Sequence, residues 1–179
     1  LFQFVDKKAE HLVFSTQSGI LEVTRNDGLL EMDFPSRPPE QIEVTELMEN
    51  ALGVPIMEAH LSRDMILVLQ TEKDVYEAVP DLDIVSKIPG CINLIITAQG
   101  READFVSRYF TPGISIPEDP VTGSAHSSLI PFWAKRLGKE KLTAHQLSKR
   151  GGILYCQDKG DRVKISGNAI LYLAGEIYL

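Results

Sequence analysis

Residues 118–137 read EDPVTGSAHSSLIPFWAKRL and contain the pattern of the one long helix that the sequence predicts. From Thr122 onward the apolar residues recur at helical spacing and form one stripe that ends before Gly138: Ala125, Leu129, Phe132, Trp133 and Leu137. Such a stripe is typical of a helix that packs on a core. The sequence therefore predicts a mostly buried helix from about Thr122 to Leu137.

The start of this helix has two interpretations, an anion-binding site or a self-capped end. Asp119 precedes a proline and should be extended, which leaves its carboxylate in the loop before the helix. Gly123 has no side chain, and the N–H groups of Gly123, Ser124 and Ala125 point out of the first turn. Free N–H groups at a helix start attract anions. The alternative is that Asp119 or Thr122 caps these donors and that nothing else binds.

Two neighbouring residues also have a functional and a structural interpretation. His126 could be a general acid or base, whereas a lone histidine inside a half-buried helix is typical of a hydrogen-bonded structural residue. Arg108, in SRYFTPG at 107–113, could steer or pair with a carboxylate, and a surface arginine is the alternative. Pro131 removes a backbone donor within the helix and should bend it near Ser127.

The rest of the chain is mostly β-like. Asn-Asp-Gly at 26–28 lies between two alternating runs and predicts a β-hairpin. Short helices should start at Thr45 and Thr71. Strands outnumber helices without regular alternation, which favours an α+β fold with mixed or antiparallel sheets. The predicted strands are 11–16, 19–25, 29–34, 54–61, 65–70, 91–99, 103–110, 152–157, 162–166 and 169–179.

Prolines at 35, 38 and 39 interrupt this pattern and predict a linker near 35–41. We therefore expect residues 1–37 to hold strands of a first domain and residues 38–179 to form a second domain, whose last strand could return to the first. The chain begins with Leu1 and lacks the order of a signal peptide, so we expect it to begin inside a longer protein.

Composition narrows the function classes. A formal net charge of −7 and a pI near 5.1 disfavour nucleic acid, because binding it requires clustered positive charge. The basic run at 135–150 is the exception, and we interpret it as a solvated face. No apolar run is long enough to span a bilayer, which predicts a soluble, cytoplasmic protein. Cys91 and Cys156 lack metal-ligand spacing and are interpreted as reduced core thiols.

Beyond these patterns, the chain resembles the PhzF-like isomerases of phenazine biosynthesis, relatives of diaminopimelate epimerase. The resemblance runs along the whole chain and is most specific from EDPVTGSAH to SKRGG, within the stretches FSTQSGILEV (14–23), LEMDFP (30–35), SRYFTPG (107–113), GISIPEDPVTGSAH (113–126), PFWAKRLGKEKLTAHQLSKRGG (131–152) and DRVKISGNAILYLAGEIYL (161–179). It implies a diaminopimelate epimerase-like fold of two similar domains, in which a curved mixed sheet wraps around a central helix and the active site lies in the cleft between the domains.

The same resemblance implies a site and a mechanism. Gly123 and Ser124, with Ala125, would bind a substrate carboxylate, and Asp119 would add a polar contact. One carboxyl group would remove and return a proton, which requires no metal, nucleotide or flavin. The family's glutamate, in a segment like NLSET, and its Gly-His-Pro or Gly-His-Ala motif do not occur in these 179 residues. We therefore expect the C-terminal two-thirds of such an isomerase, with its base on an absent N-terminal segment.

A racemase with two thiols is disfavoured, since no cysteine lies at the Val-Thr-Gly-Ser run of the helix start. The alternative to an isomerase is a non-catalytic binding or interaction protein that keeps the anion-binding helix start. The expected partner is a small carboxylate-bearing molecule, with neither nucleic acid nor membrane, and a homodimer stays open.

Overall fold

The computed structural model of the protein describes residue 2, residues 6–17 and residues 19–175. Twelve strands, β1 to β12, follow in chain order within these ranges: His11–Thr16, Gly19–Asn26, Leu29–Pro35, Glu40–Ile42, Glu58–Leu61, Met65–Val68, Leu94–Gln99, Phe105–Phe110, Glu118–Asp119, Lys141–Gln146, Gly152–Asp158 and Arg162–Gly167. The helices of the same ranges, α1 to α4, are Glu46–Leu52, Glu72–Glu77, Leu82–Val85 and Gly123–Leu137.

The strands form one hydrogen-bonded sheet across the described part of the chain. Its order is β1-β2-β3-β12-β11-β10-β8-β7-β6-β5-β4, and β9 pairs with β8 beside this path. The β8–β10 and β6–β7 pairs are parallel. The remaining pairs are antiparallel. The sheet is therefore mixed, in agreement with the sequence prediction.

The predicted hairpin joins β2 to β3. Asp27 and Gly28 have positive φ angles of 48° and 82°, which suit a two-residue turn between twisted strands. The hairpin is attached to the rest of the chain because β3 pairs with β12, with Phe34 opposite Val163. Hydrogen bonding thus continues from residues 29–35 into the last strand, and the division into domains 1–37 and 38–179 stays a prediction.

The central strands bury side chains on both faces of the sheet. Leu67 and Ile96 pack in one cluster with α1, α2 and α3, whereas Ile66 and Ile95 pack in a second cluster with α4. Successive side chains of a strand point to opposite faces. Helix α4 therefore lies on one face and the three shorter helices lie on the other.

Helix α4 begins at Gly123, with Thr122 as its N-cap residue, and ends at Gly138, whose φ of 65° is left-handed. The sequence prediction of a mostly buried helix is confirmed, since nine of its residues are buried. Its side chains share a cluster with buried residues of β6, β7, β8, β10, β11 and β12 and with Phe34 of β3. This cluster fixes the helix against the middle of the sheet.

The two predicted short helices also begin where their capping residues indicate. Thr45 accepts a hydrogen bond from the N–H of Met48, and α1 ends at Gly53 in the left-handed region. Thr71 and Asp74 form a capping box at the start of α2. These local signals therefore predicted both helix starts correctly.

Pro131 ties α4 to the linker that follows β3. Because Pro131 has no N–H, the carbonyl of Ser127 receives no hydrogen bond from the helix turn above it. The backbone N–H of Arg37 donates to that carbonyl at 2.9 Å instead. The proline-rich segment near 35–41 is therefore fastened to the core helix.

Three sequence predictions need correction. Residues 169–175 are not a strand and are mostly exposed, while 176–179 lie outside the described residues. The strand predicted at 54–61 begins only at Glu58. The basic run at 135–150 contains the strand β10, which lies between β8 and β11 and buries Leu142, Ala144 and Gln146. That run is therefore not simply a solvated face, because every second side chain of β10 enters the core.

The hydrogen bond from Arg37 to Ser127 leads to a test with Pro131→Ala. The new N–H of residue 131 can donate to the Ser127 carbonyl and compete with Arg37. We expect the Arg37 amide to exchange with D2O about fivefold to tenfold faster in the variant, since one net hydrogen bond is worth about 1 kcal/mol.

The amide of Ser36, which donates to Asp161 at 2.9 Å, is the internal control and should keep its rate. Unchanged exchange at Arg37, with a protected amide at residue 131, would mean that the Ser127 carbonyl accepts both donors.

Candidate functional site

A short loop leads from β9 into α4 and contains Asp119. Asp119 lies opposite Tyr109 in the β8–β9 pair, so its backbone is extended, as expected for a residue before proline. Its carboxylate Oδ2 accepts a hydrogen bond from the hydroxyl of Thr122. Thr122 makes no side-chain cap hydrogen bond to the helix. The capping interpretation is therefore wrong for Thr122, whose hydroxyl donates away from the helix.

Gln146 of β10 fastens this loop to the sheet. Its side chain is only 1% exposed, and its Oε1 accepts the N–H of Thr122 at 2.7 Å. Its Nε2 donates to the carbonyl of Asp119 at 2.7 Å and lies 3.3 Å from the Thr122 hydroxyl. The amide of the N-cap residue is thereby satisfied inside the protein, and the loop has a fixed path.

The next three amides form the open first turn of α4. Among the described residues, no side chain accepts a hydrogen bond from the N–H groups of Gly123, Ser124 and Ala125. A Cβ at Gly123 would lie 3.8 Å from Cε of Met32 on β3 and 4.0 Å from Cζ of Phe34, which is ordinary contact. The positive end of the helix dipole is therefore without a side-chain cap at this point.

Arg63, in the turn between β5 and β6, reaches this helix start. Its Nη2 lies 3.0 Å from Oγ of Ser124, which accepts the hydrogen bond because a guanidinium group has only donors. The Arg63 side chain is 40% exposed. A permanent positive charge therefore lies beside the first turn of α4.

Asp64 holds the arginine in place. Its carboxylate is 4% exposed, and Oδ2 accepts from Arg63 Nη2 at 2.6 Å and from Nε at 3.2 Å. The hydroxyl of Tyr109 donates to the same oxygen at 3.2 Å, and Nδ2 of Asn93 donates to Oδ1 at 2.9 Å. The hydrogen bond and the charge of Asp64 raise the pKa of Arg63. Burial and the same negative charge raise the pKa of Tyr109 to about 12, so its hydroxyl stays protonated and donates.

His126 lies inside the protein, below the first turn of α4. Its ring is fully buried, and Nδ1 lies 2.9 Å from the carbonyl of Thr122, to which it can only donate. Nε2 is buried without a hydrogen-bond partner among the described residues. Burial lowers the pKa of His126 to about 4, which keeps the ring neutral at physiological pH. The structural interpretation of this histidine therefore fits better than general acid–base catalysis.

Arg108 is occupied by contacts within the protein. Its Nε and Nη2 donate to the two carboxylate oxygens of Glu118 at 2.7 and 3.0 Å. Its Nη1 lies 2.7 Å from the carbonyl of Ala78, at the end of α2, and 3.2 Å from two other carbonyls there. The expected pairing of Arg108 with a carboxylate thus exists, but the partner is Glu118 rather than a ligand.

The two cysteines are free thiols. Burial raises the pKa of Cys156 to about 12 and that of Cys91 to about 11, so both remain protonated. Cys156 is buried in the cluster around α4, while Cys91 is half-buried beside the cluster of the other face. The interpretation as core thiols agrees with these positions. In the described ranges, no three side chains of His, Cys, Asp or Glu are grouped so as to hold a metal ion.

Comparisons with known proteins agree with this architecture. Over its full length the chain is 46% identical to an uncharacterized isomerase of Pseudomonas aeruginosa and spans 69% of that protein. It is 34% identical to phenazine biosynthesis-like domain-containing protein 1 of Mus musculus, with 99% of this chain and 68% of that protein aligned. The crystal structure of a PhzF-family phenazine biosynthesis protein from Enterococcus faecalis superposes with a TM-score of 0.95 at 45% identity, covering 100% of this chain and 69% of that one.

The fold is that of the PhzF and epimerase-like proteins. A hydroxyproline epimerase from Agrobacterium vitis shares it with a TM-score of 0.52 at 10% identity, over 95% of this chain and 60% of that one, a likeness of fold alone. The family model described as phenazine biosynthesis-like protein, PhzC-PhzF, matches residues 1–175. The chain belongs to this family. No helix of the described residues is both long and apolar enough to cross a membrane.

The structure brings only part of the predicted site together. Asp119, Gly123, Ser124 and Ala125 surround the start of α4, whereas the donors of Arg108 are bonded to Glu118 and at the end of α2. Sequence analysis missed Arg63, Asp64 and Gln146. Gln146 lay inside the run that we had interpreted as solvated, and Arg63 and Asp64 stand beside each other in a polar turn without any motif.

The buried ring of His126 predicts a specific pH dependence of stability. Its folded pKa of about 4 lies below the ordinary value of 6.5, so the unfolded chain takes up a proton first as the pH falls. The contribution of the neutral His126 ring to the unfolding free energy is fully present above pH 6.5 and is lost as the pH falls to about 4. The loss amounts to about 3 kcal/mol by linkage.

Urea unfolding of wild type and His126→Gln between pH 7 and pH 4 measures the loss of unfolding free energy that is due to His126. The variant should be less stable at pH 7 but should lose about 3 kcal/mol less than wild type on acidification. Parallel stability curves for the two proteins would contradict the assignment.

Proposed function

We propose that the chain is part of a PhzF-like isomerase that moves a proton on a small carboxylate-bearing substrate by acid–base catalysis. The relatives named as uncharacterized isomerases support the reaction class. The observation that carries the proposal is the first turn of α4, where three backbone amides lack a side-chain cap beside the charge of Arg63.

In this proposal, the amides of Gly123, Ser124 and Ala125 receive the carboxylate of the substrate. Each N–H contributes a hydrogen bond, and the helix dipole adds attraction for negative charge. The cluster that fixes α4 in the sheet would keep these donors in place without a ligand. We also propose that the sheet curves around α4, in keeping with the shared cluster.

Asp119 is proposed as a supporting residue of the proton transfer. Its Oδ2 is engaged by Thr122, while Oδ1 has no hydrogen-bond partner among the described residues. This second oxygen can accept a hydrogen bond from the substrate next to its reacting carbon. His126 and Arg108, which sequence analysis had considered, have no direct part in the proposed reaction because their polar groups are buried or occupied.

The proposed base is a glutamate that these 179 residues do not supply. The resemblance implies it in an NLSET-like segment of a longer natural chain, so that the present residues would form one wall of the cleft. Sequencing the complete gene tests this, and an intact natural chain that starts at Leu1 would favour the non-catalytic binding protein instead. Proton transfer between carboxyl groups and carbon needs no metal, nucleotide or flavin.

Anion binding by the present chain is the first prediction of this proposal. Titration of the 15N-labelled protein with sodium sulfate should shift the amide signals of residues 123–125. Gly123→Val should weaken binding, because a branched side chain at the first helical residue covers the donors. Gly123→Ala is the matched control, since its Cβ fits at 3.8 Å from Met32, and its affinity should stay within about twofold of wild type. Equal affinities in wild type and Gly123→Val would contradict the proposal.

The second prediction concerns Asp119, whose variants should affect stability and activity differently. Asp119→Asn keeps an oxygen that accepts from Thr122, so its unfolding free energy should stay within about 0.5 kcal/mol of wild type. Asp119→Ala loses that bond and should unfold about 1 kcal/mol more easily. In the complete enzyme, Asp119→Asn should lower turnover because the charge changes while the shape does not. Wild-type turnover in Asp119→Asn would assign the residue a purely structural role.

A further inference from the structure

The hydroxyl of Ser124 is oriented by Arg63. Its Oγ accepts from Nη2 of Arg63 at 3.0 Å, and a guanidinium group cannot accept in return. The hydroxyl proton of Ser124 must therefore point to another group. Among the described residues no acceptor for it is found. The hydroxyl thus has a proton to donate beside the open amides.

Arg63 is itself fixed rather than free to swing. Two hydrogen bonds join its guanidinium group to Asp64, which is buried and accepts two more from Tyr109 and Asn93. A charge-assisted pair with this many bonds keeps its geometry better than an exposed ion pair. The position of Nη2 over the Ser124 hydroxyl is therefore set before any ligand arrives.

We propose that Arg63 is a positioning residue that occupies one acceptor position of Ser124, turns its hydroxyl proton toward the open amides and thereby selects a carboxylate over an uncharged or amine-bearing group. This inference rests on the proposed function, because it assigns specificity to the same helix start. A carboxylate only accepts hydrogen bonds and matches the amides and the hydroxyl together. An amine-bearing group meets the amide donors, the hydroxyl proton and the positive charge of Arg63, and finds one acceptor position of Ser124 already occupied.

The test compares acetate with its uncharged isostere acetamide. Each is titrated into the 15N-labelled 179-residue chain at constant ionic strength, and the amides of residues 123–125 report binding. Wild type should prefer acetate, and Arg63→Met should weaken acetate binding about tenfold while it reduces the preference over acetamide. Arg63→Lys keeps the charge without the planar fork and should recover only part of the affinity.

A double-mutant cycle separates positioning from a direct effect of charge. If Arg63 acts through Ser124, then Arg63→Met combined with Ser124→Ala should bind acetate no more than about twofold weaker than the weaker single variant. Fully additive losses would overturn the proposal, as would wild-type acetate affinity in Arg63→Met. Lys135→Met removes one positive charge from an exposed residue in the last turn of α4 and should leave affinity unchanged.

Two further comparisons keep the possible outcomes distinguishable. Should Arg63→Met unfold because Asp64 loses its partner, the cycle is run with Arg63→Lys and Ser124→Ala under the same criterion. The Gly123→Val variant tests the proposed function separately. Acetate binding that Gly123→Val abolishes and Arg63→Met leaves intact overturns only the role of Arg63, whereas absence of acetate binding in wild type overturns both.

Discussion

Helix α4 can remain buried because its polar groups mostly find partners inside the fold, with Nε2 of His126 as an exception among the described residues. The indole N–H of Trp133 donates to Oγ1 of Thr97 at 3.0 Å, and the ring stacks on Phe105 with centroids 5.7 Å apart. Pro131 has no N–H to donate to the Ser127 carbonyl, which accepts a hydrogen bond from the backbone N–H of Arg37 instead. Each buried polar group left unpaired would lower the stability of the fold by about 1–3 kcal/mol, so these bonds fix the depth and rotation of the helix. The position of its first turn follows from them.

The first turn of α4 differs, because its amides have no side-chain acceptor among the described residues. Two side chains in the preceding loop could have capped it, but the hydroxyl of Thr122 donates to Asp119. Gln146 takes the amide of Thr122 and leaves the following three amides without a side-chain acceptor in the described residues. Arg63 adds positive charge at the same point. Donors that are rigid and uncapped need no reorganisation to bind an anion, and this suits the proposed role of the helix start in holding a carboxylate.

Local signals explain which parts of this fold could be predicted. The limits of α4, the N-terminal caps of α1 and α2 and the hairpin at 26–28 each depend on residues within a few positions of one another, and each was predicted from the sequence. Strand β10 was missed because its buried residues, Leu142 and Ala144, alternate with polar ones inside a strongly basic run. The opposite error occurred at 169–175, where an apolar run has no strand. Apolar content alone does not create a strand, because a strand also needs a partner edge.

Residues 118–138 alone specify a buried helix that starts at a glycine after a proline-bounded loop and whose first turn has donors to offer. The groups that surround those donors come from distant parts of the chain. Arg63 and Ser124 are 61 positions apart, and Gln146 lies 24 positions after Thr122. Such residues meet because strand order and register bring distant turns to one end of α4, and the free energy that sets this register comes from burying both faces of the central strands. A local sequence pattern does not specify which distant strands pair, whereas the helical period and the capping residues can be recognised within a few positions.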